Sequence, residues 1–474
     1  MISLLDTLDL NSAEARSFME GVQGNILKGH GRNHSKHIFL TFSGDKSSVR
    51  EWIIEFAQSK ITSEYKSFQM RLSRKNNESD SGEQFAMLLL SYAGYKFLEI
   101  EDQFIPKPGG PVSIPVHNEY FKRGMKMQAS LSGVERARFY NDPPVNEWEI
   151  GFQEDIHALV ILSDDDSVRL AHELEVFKES LPDEIKILVI ETGKKLKAKF
   201  AEKQHDIEHF GFTDGISQPL LIQQDIDIAK AKLGDANWSP EAPLQLAFVK
   251  EPNQDERYGS FLVFRKLEQN VKQFWSSLEE LSKQLGIDTE VAAAMATGRK
   301  KDGAPLVEAT AVADGDIQND FNFSSDVDGL KCPFHAHIRK VNPRGDIPRQ
   351  LGGTIEFERA LRIVRRGVTF GNRPDLEDES VELPEAGVGL LFMCFQSNLE
   401  QFVIQQEGSD SNDFVQQFKT GPDPIIGRNE NILPQSWPSG SDKKFAMANF
   451  VKMLGGEYFF APSMGFLQSL DSTS

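Results

Sequence analysis

The sequence predicts an α+β fold made of two similar halves, each an antiparallel sheet covered by helices. Two observations carry the prediction: short apolar runs alternate with segments of helical period, and that alternation is stated once in each half of the chain. A third is size. The 474 residues, 39% of them hydrophobic, are too many for one ordinary core and fit roughly two to three domains.

In the first half HIFLTF (37–42) precedes SSVREWIIEFAQSK, and FAMLLLS (85–91) precedes AGYKFLEI. HALVILS (157–163) then precedes DDDSVRLAHELEVFKESL. In that last segment Val168, Ala171, Leu174, Phe177 and Leu181 recur at steps of three and four, which predicts one apolar helical face. The cluster at 163–166 offers side-chain oxygens to cap the unpaired amides of the first turn. IKILVIE (185–191) closes the set as a fourth strand. Strand–helix–strand–helix–strand–helix–strand fits a ferredoxin-like module with one extra helix.

The second half restates the theme. GSFLVFRKL (259–267) leads into VKQFWSSLEELSKQL, GLLFMCFQ (389–396) leads into NLEQFVIQQ, and EYFFAP (457–462) is a late strand. The division expected is a ferredoxin-like module over 1–205 and a second over 206–474 that carries the functional site. In GLLFMCF the two-residue repeat sends Leu391 and Met393 to one face and Leu390, Phe392 and Cys394 to the other. Core packing is the ordinary use of such faces, and one of them could also roof a pocket. The stretch from Ala292 to Leu330 is acidic, contains glycine and is weakly periodic, so it reads as a long loop of the functional kind.

Seventy-one acidic against 52 basic side chains give a net charge of −19. Such a surface repels phosphate backbones and argues against a nucleic-acid partner. Cys332 and Cys394 are too few for a disulfide framework or a thiolate zinc site. The opening MISLLDTLDLNSAEARSF lacks the basic and long apolar regions of a secretory signal. No stretch approaches the ~20 apolar residues of a membrane span. The expectation is a cytoplasmic protein without a membrane partner; oligomeric state is left open.

The common chemical signatures are absent from the sequence: no GxxxxGK[ST] phosphate loop, no HExxH and no GxSxG. DGDIQND (314–320) alternates acidic residues but lacks the glycine and distal glutamate of a calcium loop. Three segments remain unusual for their setting. HFGFTDGISQP (209–219) places Asp214 between phenylalanines and glycine, where an Asp-Gly turn is the ordinary reading. CPFHAHIRKVNPR (332–344) holds two histidines flanked by apolar groups; His335 and His337, two residues apart, would point about 200° apart on a helix. RIVRRGVTFG (362–371) is an arginine-rich, strand-like run.

Together they make one consistent site. A neutral imidazole is a good iron ligand, and a haem needs one on its proximal face. Peroxide cleavage needs a proton acceptor on the other face and a fixed positive charge for the anion that develops as the O–O bond breaks. An aspartate and an arginine meet those needs.

These segments resemble those of the dye-decolourising peroxidase family. GFTDG is similar to its GxxDG signature, KCPFHAHIRKVNPR to its proximal-histidine segment and IVRRGVTFG to its distal-arginine segment. The resemblance extends in order through VQGNILKGHGR (22–32), NDFNF (319–323), GLLFMCFQSNLEQF (389–402) and GGEYFFAPS (455–463). It implies a pair of ferredoxin-like modules with one haem b per chain in the C-terminal half. It further implies a peroxidase that reduces hydrogen peroxide through an oxyferryl intermediate and oxidises dyes, phenolics or other small-molecule reductants. By the same resemblance Asp214 is the distal acid–base residue, Arg365 the distal cation and His337 the axial ligand. His335 stands where the family often carries a small residue, which leaves a swapped or dual role for it open. Gly215, Ile216 and Ser217 would line the haem, and Asn342 and Arg344 would contact it, Arg344 as a propionate partner. Glu400 is the acidic group expected on the other ring nitrogen of His337, with Asp346 and Glu356 as alternatives. Trp238, Trp275, Trp437, Tyr258 and Tyr458 are candidates by type for passing electrons from bulky dyes. The rival reading is a haem carrier, store or deferrochelatase-like protein with little turnover, which would keep His337 but have no need of Asp214 and Arg365 together.

Overall fold

A computed structural model describes residues 2–76, 83–111, 114, 119–129, 141–200, 202–313, 316–376, 380–415, 418–428 and 433–470. Four strands of the first half, β1 (His34–Phe42), β2 (Phe85–Ser91), β3 (Ala158–Asp164) and β4 (Ile185–Lys194), lie in the order β4-β1-β3-β2. All neighbours are antiparallel, as in a ferredoxin-like sheet. A separate hairpin of β5 (Leu196–Phe200) and β6 (Lys203–Ile207) follows, and then a two-residue strand, β7 (Val249–Lys250), that flanks β8 (Tyr258–Gln269).

The second half continues with β9 (Val364–Arg365), β10 (Val368–Phe370) and β11 (Gly389–Gln396). Two small ladders come next, β12 (Asp413–Val415) with β13 (Phe418–Lys419) and β14 (Gln435–Ser436) with β15 (Lys444–Phe445). The last strand is β16 (Val451–Ala461). Here the order is β16-β8-β11-β10, the same arrangement as the first half with β8 as its first strand and β16 as its last. The fold is thus α+β with two ferredoxin-like modules.

The modules share one sheet. Phe459 and Phe460 of β16 pair with Ser91 and Leu90 of β2. At the far edges the Thr369 hydroxyl donates to the Lys194 carbonyl and accepts the Leu196 amide at 3.2 Å. One core therefore spans both halves, and the rings of Phe39 (β1), Phe264 (β8) and Phe459 (β16) meet in it. Phe39 is fully buried; truncating such a ring to alanine costs about 3–5 kcal/mol.

The helix Ser167–Glu179 starts where Asp166 accepts the amides of Val168 and Arg169. Its apolar face differs from the one expected: Leu170, Leu174 and Phe177 are buried, while Val168 and Ala171 face solvent. The steps of three and four fit two overlapping stripes, and contact of Phe177 with Trp52 and Phe56 of the helix Lys46–Ser59 selects the one through Leu170. The loop expected from Ala292 begins inside a helix, Thr289–Thr297, whose alanines pack under the helix Val271–Leu285. Its remainder to Leu330 carries no helix or strand among the described residues; 314–315 of DGDIQND lie outside them.

Candidate active site

A cavity of about 490 Å³ opens between the modules, within the roughly 300–1,000 Å³ usual for small-molecule sites. Its wall is drawn from the whole chain: Asn25, His30 and His37 from the N-terminal segment and β1, residues 206–219, Arg299, the 337–344 segment, residues 362–369, and Leu390 and Phe392 of β11. Leu391 and Met393 belong to the core, as does Cys394, so Leu390 and Phe392 alone of their face show half-buried surface. Three residues with left-handed backbone, Asn25 (φ 75°), Ser217 (φ 62°) and Arg344 (φ 46°), all lie on this wall. Such strain in non-glycine residues collects at functional sites.

His337 is the first residue of the short helix His337–Val341. Its Nδ1 lies 2.8 Å from Oδ2 of Asp423, a fully buried carboxylate whose Oδ1 accepts the amides of Ile425 and Ile426. A carboxylate can only accept, so Nδ1 carries the proton and Nε2 keeps the lone pair that binds a metal. Asp423 replaces Glu400, the partner expected from sequence. Glu400 is instead bonded to Tyr120, and Asp346 is taken by Arg339 and Arg349. The second histidine, His335, does not line the cavity; it is buried edge-on against Trp437 at 4.4 Å, and burial pushes its basicity well below the usual value.

The helix carrying His337 is pinned from behind. Arg339 is fully buried and donates to Asp346 at 2.7 Å, to Asp326 at 3.0 Å and to the carbonyls of Cys332 and Asp326. Lys340 donates to the carbonyls of Gly408 and Ser411. At the neighbouring helix end Gly298 (φ 90°) is required, since a Cβ there would lie 2.4 Å from Ile338.

Asp214 and Arg365 come together in the same cavity. Arg365 Nη1 stands 3.6 Å from Asp214 Oδ1, an ion pair too long for a direct hydrogen bond, and each side chain is 34% exposed. The geometry behind them is fixed. Strand β9 pairs Arg365 with Cys394 of β11, its amide donates to Gln218 Oε1, and its Nη2 donates to the Ile216 carbonyl at 2.6 Å. Asp214 Oδ1 accepts the Gly215 amide, and the Asp214 amide donates to the Asp206 carbonyl. Gly215 (φ 77°) meets no crowding, so its backbone angle is what calls for glycine.

Ser217 and Arg344 belong to a buried polar cluster. Arg344 donates to the carbonyls of Asn319 and Phe321, to Ser217 Oγ and to Asn319 Oδ1, and its guanidinium lies over the rings of Phe321 and Trp238. Sequence reasoning passed over Arg299, which adds donors to the same two atoms, Ser217 Oγ and Asn319 Oδ1. It falls in the stretch from Ala292 to Leu330 that the sequence marks only as a loop, so nothing local singled it out. Burial pushes Arg299 down to about 9 and Arg344 well below the usual arginine value. Asn342 lines the cavity beside them.

Of the aromatic residues singled out, Trp238, Trp437, Tyr258 and Tyr458 are buried. Trp275 is half-buried: its indole N–H donates to the Phe210 carbonyl at 3.2 Å and its ring lies parallel to Phe212. Phe210 and Phe212 both line the cavity.

A histidine with one free ring nitrogen, apolar walls and a buried pair of cations fit an iron tetrapyrrole with acidic side chains. Among the described residues no cluster of three or more His, Cys, Asp or Glu side chains could hold a bare metal ion. No helix of the described residues is long and apolar enough to cross a membrane.

Comparison with known proteins agrees with this chemistry. Residues 224–421 match the family model described as Dyp-type peroxidase, C-terminal. The chain is 35% identical to the multifunctional dye peroxidase DyP2 of Amycolatopsis sp. over 99% of its length and 100% of that protein. It is 31% identical to the dye-decolorizing peroxidase msp1 of Mycetinis scorodonius over 70% of the chain and 69% of that protein. Among solved structures, the DyP-type peroxidase of Anabaena sp. superposes with a TM-score of 0.84 at 38% identity, covering 98% of this chain and 97% of that one.

Proposed function

The chain belongs to the DyP-type peroxidase family, and we propose that it reduces hydrogen peroxide with one bound haem b and oxidises dyes, phenolics or similar one-electron donors. The observation that carries this reading is one cavity lined both by the Asp214–Arg365 ion pair and by His337, itself paired with Asp423. His337 would hold the iron through Nε2. Gly215, Ile216 and Ser217 would line the haem, and Asn342 and Arg344 would contact it. When bound, the haem would supply the two electrons that cleave the peroxide O–O bond and would hold the oxidising equivalents until two one-electron donors return them.

The protein's own groups do the rest. The Asp214 carboxylate takes a proton from one oxygen of the peroxide and returns it to the other, which then departs as water. Arg365, anchored on Ile216, places a permanent positive charge beside the oxygen that gains electron density. Partial exposure of both leaves room for peroxide between them, while the bonds from Gln218, Ile216 and Gly215 keep them from collapsing together. Trp275, stacked on Phe212, is the residue at which electrons from dyes too bulky for the cavity enter. The division of the chain at 205/206 and a reducing compartment, supported by two buried free thiols, belong to the same proposal.

The test is steady-state dye oxidation by haem-loaded protein. Asp214→Asn is expected to lower kcat/KM for peroxide by about 10²–10⁴-fold, the range for loss of a general acid–base group. Unchanged peroxide kinetics in that variant would remove Asp214 from the mechanism.

A further inference from the structure

In a chain of net charge −19, two guanidinium groups are buried side by side in the cavity wall without a carboxylate on either. Arg299 and Arg344 form no ion pair among the described residues. Their terminal nitrogens meet neutral oxygens: Gly303, Gln318, Asn319 and Phe321 carbonyls, Ser217 Oγ and Asn319 Oδ1. Three other buried arginines are compensated directly, Arg339 by Asp326 and Asp346, Arg265 by Asp142 and Arg32 by Asp165, whereas Arg362, on the same cavity wall, meets only the carbonyls of Arg359, Ser239 and Glu241 among the described residues. Nearby groups make no direct contact with the pair. Burial keeps the Cys332 thiol neutral, and the two carboxylates that act on Arg344 through space are bonded elsewhere, Asp320 to the Asn237 and Trp238 amides and Thr310 and Glu358 to the Gly345 and Ile347 amides.

Neutral acceptors orient a guanidinium but leave its charge standing, and an uncompensated buried cation is strongly disfavoured. Here two of them share the same two oxygen atoms, and Arg365 adds a third positive charge that Arg299 feels. The arrangement is held by strained backbone at Ser217 and Arg344. Such a cost is retained where a ligand of opposite charge completes the site.

We propose that Arg299, together with Arg344, is a receptor for a carboxylate of the molecule bound in this cavity. This rests on the haem reading above, under which the carboxylate is an acidic side chain of the porphyrin. Arg299 sits two residues beyond the helix Thr289–Thr297, and the intervening Gly298 packs that helix end on Ile338, next to His337. The carboxylate receptor and the iron ligand are thereby held on adjoining elements.

The experiment titrates apo-protein, wild type and Arg299→Gln, with haem and with haem dimethyl ester, whose acidic side chains are blocked. Binding is followed by absorbance, and thermal unfolding of the apo-proteins is recorded alongside. The expected result is a loss of about tenfold to a hundredfold in haem affinity for Arg299→Gln, the range for a charge-assisted hydrogen bond. The ester should bind wild type and variant alike, and apo Arg299→Gln should unfold no lower than apo wild type. Arg299→Lys should recover part of the haem affinity; it also carries the comparison should Arg299→Gln fail to fold. Equal losses for both porphyrins would make Arg299 a structural support and overturn the proposal, as would unchanged haem affinity. Failure of wild type to take up either porphyrin would overturn the haem reading itself, and this inference with it.

Discussion

Replacing Asp423 by asparagine tests the site where the structure departs most from sequence expectation. The side chain is fully buried and makes three contacts: Oδ1 accepts two backbone amides, from Ile425 and Ile426, and Oδ2 accepts His337 Nδ1–H at 2.8 Å. Asparagine keeps an oxygen for the amides, so the turn survives. Its NH₂ group then faces Nδ1, two donors meet, and the ring is driven to the tautomer with its proton on Nε2, which removes the lone pair the iron needs. A buried charge-assisted hydrogen bond is worth about 1.5–3 kcal/mol, so haem affinity should fall roughly ten- to a hundredfold, in line with losses at other metal-bound histidines. Loss of the negative charge also disfavours the ferric state, and each 1.4 kcal/mol raises a one-electron potential by about 59 mV. Haem titration and a spectroelectrochemical titration read the two effects. Equal affinity and equal potential in Asp423→Asn would refute the claim that this carboxylate sets the state of His337.

Arg339→Met should unfold the proximal segment most readily, since it leaves Asp326 and Asp346 facing each other's buried charge; a loss of about 3–5 kcal/mol is expected in chemical denaturation. Trp275→Phe should lower turnover of bulky dyes several-fold while leaving that of small phenolics intact, and parallel losses would assign Trp275 to packing alone. Glu457 is buried and accepts the amides of Met125 and Tyr458, and burial raises it from 4.5 to about 7. Between those values the folded state holds a proton that the unfolded state has released, so this group's contribution is present below pH 4.5 and is lost as pH rises to about 7. Glu457→Gln should therefore flatten the fall in stability across that window, measured by urea unfolding. His37 has the opposite sign: burial lowers it to about 3, so its contribution is present above pH 6.5 and is lost as pH falls.

The strands were readable because each is a short apolar run closed by turn residues; β8 and β11 fall within two residues of their predicted places, while β16 starts six residues before the predicted run. The order β4-β1-β3-β2, repeated as β16-β8-β11-β10, follows from the sequence of strands and helices once each crossover must return to the same sheet. The joining of the two modules through Phe459–Ser91 and Thr369–Lys194 was not readable, because pairings between distant segments leave no local period. In the site, Asp214, His337 and Arg365 stood out by their unusual local settings. Asp423 did not: it lies 86 residues from His337, and one aspartate among 71 acidic residues carries no mark of its partner. Arg299 was hidden likewise, since its meaning depends on what does not neutralise it.

The central claim is that His337 holds a haem on which Asp214 and Arg365 direct peroxide chemistry. The most direct measurement is the absorption spectrum of haem-loaded protein before and after one equivalent of peroxide, for wild type, His337→Ala, Asp214→Asn and Arg365→Leu. The account predicts a Soret band that shifts with peroxide in wild type, loss of haem from His337→Ala, and normal haem uptake with slow reaction in the two distal variants. A His337→Ala spectrum identical to wild type, or a wild-type band that peroxide leaves unmoved, would contradict it.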